Sequence, residues 1–375
     1  MNKTIRLFIS ISLISILLLT FIISANAEED FEEIRLKGKV IDVKVEETPD
    51  SMYFSSREMV EVQVTEKGEY EGEIFTVENA KTGNDGMDIS VSNGDKVLLL
   101  VHLENGEIVD SYLEDHYRMP MIYILAAVFI VLVLLIGRMK GLRSLITLLI
   151  SIALIILILV PQAIEGRNPV ILSIVISILA IASTFLIVSG VNRKSLVAIL
   201  GTVGGIVTGG ILAFIFTNIG HLTGMSLQES QMLSYAPVEV VYDFKGLLLA
   251  SIIIGSLGAI MDIGMSIASS MYEIKMRAPE ISAKELLSAG LNIGQDVMGT
   301  MINTLILAYA GASLPLLMVF DVYDMNITAI INMDLMATEI VRALAGSIGL
   351  IICIPLTALF AVLIYTKSSV KEIEE

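Results

Sequence analysis

Apolar residues follow two rhythms along this chain. Between residues 28 and 118 they alternate with polar ones at period two, the pattern of half-buried strands. Val40, Val43 and Val45 sit in one candidate strand, and Val60, Val62 and Val64 in another. Val97 to Val101 lead into Asn105-Gly106, a two-residue hairpin turn, and then into Glu107-Ile108-Val109. Asn93-Gly94 marks a second turn. This stretch predicts a small, barrel-like β domain over residues 28–118. From residue 119 the rhythm changes to long uncharged runs: 119–137, 142–162, 169–189, 196–219, 246–270, 297–320 and 338–366. Each approaches or exceeds the ~18 to 20 residues that cross a bilayer. The expected fold is an α-helical polytopic membrane protein, about seven transmembrane helices after an N-terminal signal, carrying a small extracytoplasmic β domain. Residues 119–366 are the membrane domain and 367–375 a cytoplasmic tail.

Residues 1–27 have the form of an export signal. Lys3 and Arg6 start it, an apolar run from Leu7 to Ile23 follows, and Ala25-Asn26-Ala27 offers a small-x-small cleavage pattern. A cleaved signal peptide and an uncleaved signal anchor both put residue 28 onward outside the cytoplasm. Basic residues give the same orientation independently. Arg138, Lys140, Arg143, Arg193, Lys194, Lys275, Arg277, Lys284, Lys367 and Lys371 fall in alternate connections and after the last run. The positive-inside rule then places those connections and the C-terminus in the cytoplasm.

Composition narrows the function classes. The 375 residues are 55% hydrophobic, and a soluble enzyme would have to hide nearly all of these runs in one core. The net charge of −16 is concentrated in residues 28–118, which hold 24 acidic and 9 basic side chains. That surface would repel phosphate, which argues against nucleic-acid binding. One cysteine, Cys353, and three scattered histidines offer neither a disulfide nor a metal site, and no cofactor is expected. Asn84-Asp85-Gly86-Met87-Asp88 lacks the spacing of a calcium loop and reads as a turn.

The chemistry centres on residues 255–273. Asp262, Ser266, Ser269 and Glu273 lie at i, i+4, i+7 and i+11, one face of a helix. Asp296, Thr300, Asn303, Leu307 and Ala310 trace a face of the next span. The two spans run antiparallel, with Asp262 and Asn303 near the same depth, so the two could meet. Glu339 and Arg342, three apart, can pair at the outer end of the last span. A polar track would then run from Glu339 and Arg342 past Asn303 and Asp262 to Asp296 and Glu273. Intramembrane ionisable residues mark ion and proton pathways. The structural alternative makes Asp262 a hydrogen-bonded register pin, Glu339 and Arg342 snorkelling helix-end charges, and Glu273 and Asp296 solvated loop charges. Gly201, Gly205 and Gly209 form a GxxxGxxxG ridge suited to close helix packing. Residues 282–291 suggest a short amphipathic helix capped by Ser282.

Three segments carry a resemblance: Gly258-Ala259-Ile260-Met261-Asp262-Ile263-Gly264 onward to Ser270, Gly294 to Tyr309, and Glu339-Ile340-Val341-Arg342 with Gly346-Ser347-Ile348-Gly349 and Pro355-Leu356-Thr357. Together with Asp115-His116-Tyr117-Arg118 and Gly137 to Leu142 they resemble the YibE/F family of bacterial multi-span membrane proteins. Gln295 departs from the pattern, where a basic residue is expected. The resemblance implies a multi-span architecture and no particular activity. The function expected is a permease for a small solute or ion, working in the lipid bilayer. The alternative is a membrane anchor or assembly protein whose β domain binds an extracytoplasmic or membrane protein partner. An intramembrane aspartyl hydrolase would need a Gly-x-Gly-Asp pattern that Asp262 and Asp296 lack, so no enzyme is expected.

Overall fold

The computed structural model describes residues 31–46, 56–84, 86, 88–104, 106–236 and 240–366. The expected signal, the C-terminal tail, Asn105 of the hairpin turn, and Asp85 and Met87 lie outside the described residues. The chain forms two compact units, Met1–Val131 and Leu132–Glu375.

The first unit is a five-stranded antiparallel sheet. Its strands are β1 (Phe31–Glu46), β2 (Ser56–Val64), β3 (Ile74–Lys81), β4 (Lys96–Glu104) and β5 (Glu107–His116), in the order β3-β2-β1-β4-β5. β3 also comes against β5, so the sheet curls into a barrel-like form. This is the strand order of a partly open Greek-key barrel. The 16 residues of β1 let it serve two partners, β4 with its first half and β2 with its second. A bulge between Val40 and Asp42 resets the alternation. It explains how Val40, buried in the core, and Val43, three residues on, both pack inward. Val60, Val62, Val64, Val97, Leu99 and Val101 belong to the same core, whereas Val45 is exposed. The Asp88 amide donates to the Asn84 carbonyl oxygen at 3.0 Å. Asp88 accepts hydrogen bonds from the Thr82 amide, the Thr82 hydroxyl and the Gly83 amide at 2.8 to 2.9 Å. These bonds, that of the Thr82 amide first, hold the Asp88 carboxyl below its ordinary value.

From Met119, still within the first unit, through the second unit the chain is helical, and local chemistry sets the helix boundaries. Helix α1 (Met119–Leu154) continues through a π turn (Ile155–Leu159) and a last turn (Val160–Ile164), 46 residues in all. It is not straight. Arg138 leaves helical geometry at φ 48 and ψ −130. A Cβ on Gly141 would collide with the Val133 carbonyl, eight residues back. Along a straight helix those residues are ~12 Å apart, so the chain turns sharply at Arg138. The run therefore holds two segments, where 119–137 and 142–162 are predicted as separate spans. The π turn comes just before Pro161. Val160 donates to Ile155, five residues back, and Pro161 has no N–H to continue the α pattern.

Helix α2 (Pro169–Val188) starts at Asn168, whose side chain accepts from Val170 and Ile171. Asn192 caps α3 (Arg193–Ile219), and Asp243 caps α4 (Phe244–Arg277). Helix α5 (Ala283–Ala312) corrects the predicted split between a surface helix at 282–291 and a span from 297. Ser282 and Glu285 form a capping box, and the helix then runs unbroken to Ala312. A 58° bend at Ser313 separates it from α6 (Leu314–Val322). Pro315, in the first turn of α6, lacks the N–H that would carry α5 onward. By contrast, α7 (Asp334–Tyr365) continues through Pro355 without a break. Among the described residues, five helices are long and apolar enough to cross a membrane, with the bent pair α5–α6 a sixth candidate.

The centre of this unit is a three-helix contact among α3, α4 and α7. Gly201, Gly205 and Gly209 meet Thr357, Cys353 with Gly349, and Ala345 of α7, one turn after another. A Cβ at Gly201 would collide with the Thr357 side chain. Ile260, Ile263 and Ile267 of α4 fill the third side with Leu350 and Ala358. Met271 and Ile267 of α4 also press on Gly290 and Gly294 of α5. The two ends of the bundle differ in charge. Lys194 stands over the Tyr272 ring, which packs edge-on against Tyr365, so the start of α3 and the ends of α4 and α7 share one end. That end carries Arg193, Lys194, Lys275 and Arg277. The opposite end carries Glu229, Asp243 and Asp334.

Candidate functional site

Helix α4 buries Ile260, Ile263, Ile267, Ala268 and Met271 in the bundle. The helical period therefore turns Asp262 to the opposite side. Ser251, Gly255, Gly258, Asp262, Ser266 and Glu273 are all exposed. Intervals of three or four residues, and of seven from Ser266 to Glu273, keep them in a stripe on one face of the helix. Asp262 has no hydrogen bond or ion pair among the described residues, and neither has Ser266 or Glu273. Glu273 lies inside α4, four residues before its end, and not in a loop.

Helix α5 flanks this stripe. Asp296, Thr300 and Asn303 are exposed along one of its faces. Met271 on Gly290 and Ile267 on Gly294 fix the antiparallel register of α4 and α5. Stepping along that register brings Asp262 level with Gly299 and Asn303 level with Gly258. Asp262 and Asn303 are thus one turn apart, ~6 Å along the axis, and share no hydrogen bond. Thr300 donates to Val297 and Thr304 to Thr300, each within α5. A Cβ on Gly258 or Gly299 would meet nothing within 4 Å, so both glycines border open space.

At the acidic end the stripe runs into a cleft of about 570 Å³. Glu229, Ser251, Gly255, Tyr309, Glu339 and Arg342 contribute to its lining. Glu339 and Arg342 do pair, at 2.9 Å, and their side chains are only 14% and 15% exposed. They belong to the bundle's interior more than to its surface. The pairing leaves donors over. Arg342 Nε is buried without an acceptor, and so is the Tyr309 hydroxyl. Tyr309 reaches the cleft because Gly255 has no side chain: a Cβ there would stand 2.8 Å from the hydroxyl oxygen. Glu229 has no ion pair among the described residues.

The structure thus gathers Glu339 and Arg342 with Tyr309 at one end of the stripe. It sets Asp262 and Ser266 midway and Glu273 beyond. Asp296 and Asn303 lie on the neighbouring helix at other heights. Sequence reasoning missed Tyr309, Glu229, Ser251 and the cleft-forming role of Gly255. Ser251 and Gly255 carry a legible signal, since they extend the spacing of Asp262 and Gly258 two further steps. Tyr309 in an apolar run and Glu229 in a connection carry none. No group of three or more metal-ligating side chains is present among the described residues.

A family model described as YibE/F-like protein matches residues 125–367. No curated protein and no solved structure matches the chain.

Proposed function

The chain belongs to the YibE/F-like family, and from that premise we propose that it is a multi-span membrane protein that passes a small solute or ion across the bilayer along the Asp262 stripe. The observation that carries this reading is the stripe itself: an unpartnered carboxylate on the exposed face of an apolar helix, in line with a polar cleft. A charged residue at the centre of a membrane helix costs about 2.5 to 3.5 kcal/mol on insertion scales. Facing lipid, Asp262 would bear that cost with nothing returned. Facing water, it becomes a stopping point for a proton or cation. In this reading the two segments of the 46-residue run, α2, α3, α4, the α5–α6 pair and α7 make seven spans. The basic end of the bundle faces the cytoplasm and the β unit lies outside.

The test needs no substrate. Single cysteines are placed along residues 258–270 and 296–307, in a background where buried Cys353 is replaced by alanine. Membranes are then treated with impermeant thiol reagents from each side. Labelling at 258, 262 and 266, with none at 260, 263 and 267, is the expected result. Protein that is folded but inert at every stripe position would overturn the permeation reading. The function would then rest on a membrane anchor whose β unit binds a partner.

A further inference from the structure

Resting on that reading, we propose that the cleft at the head of the stripe is a binding site for a small zwitterion carrying one carboxylate and one ammonium group, as an amino acid does.

The argument follows from what the cleft leaves unsatisfied. Arg342 has five N–H donors in a fixed fork, and its ion pair with Glu339 uses one nitrogen, Nη1. Nε has no acceptor, although it is buried. The Tyr309 hydroxyl, also buried, lacks a partner as well. Two orphaned donors at one cavity call for an acceptor with more than one oxygen. A carboxylate matches an arginine fork in geometry as well as charge.

The same cavity excludes a plain anion. Glu339 already neutralises Arg342, and Glu229 adds a carboxylate to the lining with no cation set against it. A bound carboxylate would share the cleft with Glu229. An ammonium group on the same ligand turns that repulsion into attraction. A simple amine would use Glu229 and leave Arg342 Nε and Tyr309 unsatisfied. Of the three charge types, only the zwitterion answers Glu229 as well as Arg342 and Tyr309. The cleft, about 570 Å³, lies within the range of small-molecule pockets.

The experiment reads protection of a cysteine at the rim. Ala312 lines the cleft and is exposed, so Ala312→Cys in the Cys353→Ala background should label with an impermeant maleimide. A mixture of the twenty amino acids should slow that labelling. Equal concentrations of short carboxylic acids or of short alkylamines should not. Arg342→Lys and Tyr309→Phe should each weaken the protection roughly ten-fold or more, since each removes a hydrogen bond to a charged ligand. Labelling without ligand should stay unchanged in both. The proposal is overturned if the Ala312→Cys thiol stays unlabelled in folded protein, or if the amino acids give no protection. It is also overturned if an acid or an amine alone protects as well, or if both variants keep full protection. The stripe cysteines report separately. An inert stripe with a protected cleft would sink permeation and leave the binding site standing. A labelled stripe with an unprotected cleft would do the reverse.

Discussion

Gly205 and Gly349 bring the backbones of α3 and α7 into contact: a Cβ on Gly349 would lie 2.8 Å from the Gly205 carbonyl oxygen, and one on Gly205 would lie 2.8 Å from that of Gly349. Replacing glycine by alanine inside a helix ordinarily stabilises it by about 0.5 to 1 kcal/mol. Here the sign should reverse. Gly205→Ala and Gly349→Ala should each destabilise the protein by about 1 to 3 kcal/mol, the usual cost of overpacking. Gly258→Ala and Gly299→Ala, which meet open space, should leave stability unchanged or raise it. Thermal midpoints in detergent separate the two pairs.

Asp262→Asn should spare the fold. The carboxylate has no partner among the described residues, so its loss breaks nothing. A change within about 0.5 kcal/mol is expected, as for other substitutions away from structural features. A fall in midpoint as large as that of Gly205→Ala would show a structural aspartate. Flux through reconstituted vesicles, once a substrate is known, should change while the midpoint does not.

The Glu339–Arg342 pair should behave as a buried one. Breaking a buried ion pair from one side costs about 3 to 5 kcal/mol when it is fully enclosed. The residual exposure of these side chains puts the expected cost lower, about 1 to 3 kcal/mol for Glu339→Gln alone. Glu339→Gln with Arg342→Gln should cost clearly less than the two single changes added together. A double-mutant cycle on denaturation in detergent measures the coupling. A coupling near zero would mark a solvated surface pair.

In the β unit, acid should release the hydrogen bonds that Thr82 and Gly83 make to Asp88. The folded pKa of Asp88 is depressed from 3.8 by its hydrogen bonds to Thr82 and Gly83. The stabilisation is therefore present above the ordinary value and is lost as pH falls through the depressed one. Protection of the Thr82 and Gly83 amides against hydrogen exchange should drop below about pH 4. In Asp88→Asn that protection should be low at neutral pH and should not change across this window.

Much of the architecture was legible because its signals are local. Asn93-Gly94 and the period-two valines mark strands wherever they occur, and twenty apolar residues mark a helix. What stayed hidden depends on partners distant in sequence. Val40 and Val43 share a face only because β1 bulges against β2. The break at Arg138 falls in the gap between two predicted spans, whereas the single helix that Ser282 caps runs through the break predicted between residues 291 and 297. At the site, Asp262 and Ser266 announced their face by spacing alone. Their height relative to Asn303 did not, since it is set by how Met271 and Ile267 seat on Gly290 and Gly294. The pairing of Glu339 with Arg342 was readable from a three-residue interval. That Tyr309, from another helix, completes their cleft was not.

The glycine ridge also sets an order of events. Gly201 and its packing partner Thr357 lie 156 residues apart in sequence. During synthesis α3 must therefore wait, its closest-packed face open, until α7 has been made. A chain stopped before Asp334 would hold α2, α3, α4 and α5 and still lack the surface that closes the bundle. Quality control should then treat such products as unassembled, however well each separate helix has entered the membrane. The last described helix is in this sense the one that decides whether the earlier ones become a protein.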